Sequence, residues 1–123
     1  MWHVLYYESA EGECPVKEFI DSMSERNQAK TLAVIAALEG RGPNLPRPYA
    51  DLLKDGIHEL RVKLSGNQIR ILYFFCYRDF VVLTNVLRKN TAKVPESEIR
   101  KATRCRDDFL ARADEKNLRE LVK

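Results

Sequence analysis

The chain has 123 residues, 45% hydrophobic and 32% charged, with a formal net charge of +3. That length suits one domain around one core, and the composition is ordinary for a globular chain. No apolar run reaches the roughly 18 residues needed to span a bilayer, and the N-terminal MWHVLYYES has no basic segment leading into an apolar one. The expectation is a cytoplasmic protein with no membrane partner.

Trp2–Tyr7 is rich in aromatic and branched residues and predicts a first strand. Pro15 suits a first helical turn, and Val16, Phe19, Ile20 and Met23 follow at helical spacing. Ser24 interrupts this helix or caps the next. A second helix is expected from about Glu25 to Glu39, ended by Gly40 and Gly42 with Pro43 behind them. The two helices form a hairpin. PNLPRP, residues 43–48, is a stiff connector, and Tyr49–Asp55 leads into the sheet.

Three strands follow in meander order, at about Ile57–Leu64, Gln68–Tyr77 and Phe80–Lys89, joined by the short turns SGN and YRD. In the first, Leu60, Val62 and Leu64 alternate with Glu59, Arg61 and Lys63, one face apolar and one charged. Pro95 opens a last helix with Glu96 and Glu98 in its first turn, where the helix dipole favours acids. Residues 113–123 either extend that helix or fray. The chain reads as one α+β domain over residues 1–123, in the order β-α-α-β-β-β-α.

The cysteines Cys14, Cys76 and Cys105 are odd in number and far apart, and the two histidines, His3 and His58, have no spaced partner. A disulfide framework and a zinc site are both disfavoured, and no cofactor is expected. The charge is uneven. Residues 1–56 carry net −3, residues 57–95 net +5 from seven basic and two acidic residues, and residues 96–123 net +1. The basic excess falls on the strands. It fits a polyanion-binding face, or a solvated sheet face that resists edge aggregation.

Arg70 stands out within QIRILYFF, where its neighbours are almost all apolar. A buried guanidinium with no partner is costly. Either it meets a carboxylate, Glu59 or Asp79, or it faces a ligand anion. The second is the preferred expectation.

Several pieces carry a resemblance. Trp2–Tyr7 has the pattern W-x-V-x-Y-Y, and PVKEFIDSM follows as a helix. GPNLPRPYADLLKDGIHELRVK contains the run G-I-x-E-L-R, QIRILYFF supplies the central strand, and KNTAKVPESEI precedes the last helix. In this order the chain resembles the RelE/ParE toxin superfamily, and more closely its HigB-type branch of phage Gp49-like proteins, over about Met1 to Ala111.

The resemblance implies a RelE-like fold, an antiparallel sheet packed on an N-terminal helical hairpin with a C-terminal helix. It implies the toxin of a type II toxin–antitoxin system, a ribosome-dependent mRNA endoribonuclease that inhibits translation. Its partners would be mRNA, the ribosome and a cognate helix-turn-helix, HigA-like antitoxin in a hetero-oligomer. The reaction would be attack of a ribose 2′-OH on phosphate without metal. Other members of the superfamily suggest alternatives: a ParE-like topoisomerase poison, or an inactive protein that only binds antitoxin.

Carried onto this sequence, the catalytic candidates are Arg61, Arg70 and Lys89, and the RNA-binding candidates are Lys63, Arg88 and Lys93. Arg61 belongs to the E-L-R run. Lys89 and Lys93 match the K-x-T-x-K pattern and can reach phosphate or donate a proton. Arg88 has opposite parity to Lys89, which argues against a shared ligand. Asn85 stands where relatives often have a histidine, so histidine acid–base chemistry is in doubt. His58 reads as packed or capping, and Tyr73 and Tyr77 as core.

Overall fold

The computed structural model describes residues 1–89 and 93–123, with the backbone alone for Lys89. In chain order the elements are β1 (His3–Tyr6), α1 (Pro15–Asp21), α2 (Glu25–Arg41), β2 (Ala50–Lys54), β3 (Ile57–Leu64), β4 (Asn67–Cys76), β5 (Phe80–Lys89), α3 (Glu96–Arg112) and α4 (Glu115–Leu121). The class is α+β, as expected. The order has one strand and one helix more than the sequence suggested.

The strands form one sheet in the order β1-β5-β4-β3-β2. It is mixed, not antiparallel throughout: β1 lies parallel to β5, with His3 opposite Phe80 and Tyr6 opposite Leu83. The helical hairpin between them gives the chain the length a parallel return requires. The remaining pairs are antiparallel. The added strand, β2, folds onto β3 through Asp55-Gly56, both at positive φ. That dipeptide suits a type I′ hairpin turn.

Alternation sorts the strand residues onto two cores. Leu60, Val62, Ile69, Ile71 and Tyr73 pack with Val16, Ile20, Ile35 and Leu38 of α1 and α2. Ile57, Leu72, Phe74 and Val82 pack with Ile99 and Ala102 of α3. The sheet therefore has helices on both faces.

Local chemistry sets the helix ends. Glu18 Oε2 accepts from the Cys14 N–H at 2.9 Å, and Pro15 occupies the first turn of α1. Ser24 Oγ accepts from the Asn27 N–H and so caps α2. That helix continues through Gly40 to Arg41 and stops at Gly42, where φ is +55°. A Cβ there would overlap the Trp2 indole, so glycine is required both for its backbone and for space. Asp114 caps α4, making residues 115–121 a separate short helix and not an extension of α3.

The three thiols are free, and burial raises the pKa of each, that of Cys76 to about 11. None is poised as a thiolate.

Candidate functional site

Three cross-strand rows organise one face of the sheet. Lys63 pairs with Gln68, and Gln68 with Lys89. Arg61 pairs with Arg70, and Arg70 with Leu87. Glu59 pairs with Leu72, and Leu72 with Asn85. Two cations directly opposite one another repel. Glu59 offsets that repulsion. Its Oε2 accepts from Arg61 Nη2 at 3.1 Å, and its Oε1 lies 2.8 Å from Arg70 Nε. Glu59 is 4% exposed and Arg70 7%.

Arg70 thus has a protein carboxylate beside it, Glu59, one of the two that the sequence offered. Asp79, the other candidate, instead pairs with Arg119 at 3.0 Å. Yet the Arg70 pair is incomplete as a hydrogen bond: its Nε–H does not line up on the carboxylate, so Arg70 Nε and Glu59 Oε1 are buried without one. Arg61 Nε is likewise buried with no acceptor among the described residues. Arg70 Nη1 donates to Gln68 Oε1 at 2.8 Å.

The network continues to the sheet edge. Arg61 Nη2 lies 3.5 Å from Asp51 Oδ2, which also accepts from Arg47 Nη2 at 2.8 Å. Arg47 above all holds the Asp51 carboxyl below its usual pKa. Beyond Leu60 no strand among the described residues lies at the edge of β3. There Arg61, Lys63, Gln68 and Arg70 line a cleft of about 550 Å³ that reaches Lys30 on α2 and Tyr49. Among the described residues four cations line this cleft and no carboxylate does. Some other clefts at the surface mix charges, as in the one shared by Lys54, Asp55 and Glu96.

The remaining candidates lie elsewhere. Arg88 sits on the opposite face, its guanidinium 5.1 Å from the centre of the Phe19 ring. Lys93 is exposed just before α3. Lys89 ends β5 opposite Gln68, and its side chain lies outside the described residues. Asn85 is buried, donating to the Glu98 carbonyl at 3.4 Å and to Glu98 Oε1 at 3.3 Å. It ties β5 to α3. Its Oδ1 accepts from Thr84, whose insertion shifts the β4–β5 register. His58 stacks on Tyr73 with ring centres 5.2 Å apart, and burial lowers its pKa. Sequence reasoning missed Lys30, Arg47 and Tyr49, because they come from a helix and a connector that carry no strand pattern.

The profile of the family described as "phage derived protein Gp49-like" matches residues 18–107. The chain belongs to the Gp49-like family. That family is associated with the toxins of toxin–antitoxin systems, and it implies an antitoxin partner. The match contains β2 to β5 and hence Arg61, Lys63 and Arg70. No curated protein matches the chain significantly. Among the described residues of this Gp49-like chain, no helix is long and apolar enough to cross a membrane.

Proposed function

We propose that this Gp49-like protein is a HigB-type toxin of the RelE/ParE superfamily. It cuts mRNA on the ribosome without a metal, and a helix-turn-helix, HigA-like antitoxin restrains it. The observation that carries this reading is the cationic cleft that Arg61 and Arg70 line with Lys30 and Lys63, with no carboxylate among the described residues that line it. Planar guanidinium groups match the geometry of a phosphate.

In the proposed reaction a ribose 2′-OH attacks the adjacent phosphorus. The bond from phosphorus to the 5′ oxygen breaks, leaving a 2′,3′-cyclic phosphate and a 5′-hydroxyl. The 2′ proton departs to a base, and the 5′ oxygen gains a proton, a role assigned to Lys89. Arg61 and Arg70 oppose the charge that grows on the phosphate oxygens. Glu59 holds the two guanidinium groups apart and in register. The ribosome supplies alignment of the nucleophile.

Expression without an antitoxin tests the reading. Protein synthesis should fall first, and primer extension should reveal new 5′ ends within translated mRNA. An earlier fall in DNA synthesis would instead support a topoisomerase poison, and undisturbed growth an inactive antitoxin-binding protein.

A further inference from the structure

We propose that Tyr49 is a base-stacking residue and that Lys30 is a phosphate contact beside it. Together they would extend the RNA path from the Arg61–Arg70 pair across the edge of β3 toward α2. This rests on the RNA reading above and adds a subsite to it.

Tyr49 is the most exposed aromatic residue among those described, at 52%. No other ring stacks on it among the described residues. It is nonetheless firmly placed. Its N–H donates to the Pro46 carbonyl at 3.0 Å, and its carbonyl accepts from the Arg61 N–H at 2.8 Å. The second bond ties it to the backbone of the arginine expected to hold phosphate.

Tyr49 lines both the cationic cleft and an adjoining one of about 350 Å³ lined by Ala33, Ala37 and Leu45. The larger cleft falls within the range of about 300–1,000 Å³ usual for small ligands. An aromatic face beside several cations is the arrangement that binds single-stranded nucleic acid: bases stack on the ring while the cations follow the phosphates. The apolar patch alone would also suit a protein helix, but Lys30, Arg61, Lys63 and Arg70 favour a polyanion.

Two other tyrosines, one on β4 and one just after it, do not compete for this role. Tyr73 is buried against His58, and Tyr77 lies at the β4–β5 turn against Phe80, at the far end of β4 from Arg70.

The test is fluorescence anisotropy with a labelled six-nucleotide RNA carrying 2′-O-methyl groups, which bars cleavage, over a range of salt concentrations. Tyr49→Ala should weaken binding roughly ten- to a hundredfold, with an unchanged salt slope. Tyr49→Trp should retain binding. Lys30→Ala should reduce the slope of log affinity against log salt by about 0.7, the change expected for one lost phosphate contact on a single strand. The fold is not at stake, since the Tyr49 side chain is exposed and its two hydrogen bonds are backbone bonds. Parent-like affinity in Tyr49→Ala would overturn the subsite, leave the RNA reading standing and give the groove to a protein partner. Failure of the parent to bind the hexamer at low salt would also overturn the subsite, while the ribosome-dependent reading stands or falls by primer extension.

Discussion

Arg70 carries two demands that pull against each other. As a 7% exposed cation in an apolar strand it needs a counter-charge, and Glu59 provides one. In its proposed role as a phosphate ligand the same guanidinium must also reach the cleft, which Arg70 lines. Removing Glu59 leaves the buried Arg70 without its counter-charge, which costs about 3–5 kcal/mol, whereas removing Arg70 leaves Glu59 its bond from Arg61. Glu59→Ala should lose about that much in urea unfolding and Arg70→Ala less, and a loss below about 1 kcal/mol in Glu59→Ala would contradict the buried pair. The sequence marked Arg70 as anomalous because a lone charge breaks an apolar run. It did not reveal that Glu59 reaches both arginines, because that depends on the register of β3 and β4.

His58 gives a pH signature at the same scale. Burial, opposed by the charge of Asp51, holds its pKa below the ordinary value. The unfolded chain therefore binds a proton that the folded protein resists. The stability that depends on neutral His58 is complete above a pH of about 6.5 and declines as the pH falls below it. Melting curves from pH 7 to 5 should fall less steeply for His58→Phe than for the parent. Parallel curves would remove the effect from His58.

At the scale of elements, most of the fold was legible. The α1 stripe, the Ser24 cap and the β3–β5 meander all follow from local periodicity and turn chemistry. The second strand, β2, was not read as a strand, although Asp55-Gly56 is a strong hairpin signal. Three prolines just before Ala50 masked a strand of only five residues. The end of α2 was misplaced because Gly40 and Gly42 look alike in sequence. Only Gly42 has positive φ and lies against Trp2. Gly42→Ala should cost about 1–3 kcal/mol by overpacking, while Gly40→Ala, with open space around it, should be neutral or stabilising. Thermal melts of the two variants compare these directly, and equal losses would contradict the assignment. The β4–β5 turn also hid a feature: Tyr77 and Arg78 both have positive φ without being glycine. Arg119 of α4 secures this turn by donating to the Tyr77 carbonyl at 2.7 Å. A contact across 42 residues cannot be read from local pattern.

At the scale of the molecule, the sheet separates scaffold from surface. One set of alternating residues builds the core under α1 and α2. The other set is covered by α3 only in part, which leaves the rows from Glu59 to Lys63 facing a cleft. The basic excess of residues 57–95 foretold a cationic face. It did not foretell that Lys30 and Tyr49 complete the cleft from outside that stretch. The central claim is that the guanidinium of Arg70 stabilises a reacting phosphate. The most direct measurement is single-turnover cleavage of ribosome-bound mRNA by Arg70→Lys, with its melting temperature taken on the same sample. A lysine retains the charge opposite Glu59 but loses the planar donor pair. The expected result is a folded protein whose cleavage is slowed at least about tenfold, toward the roughly hundred- to thousandfold loss seen when a transition-state donor is removed. A folded Arg70→Lys protein that cleaves at the parent rate would contradict the claim.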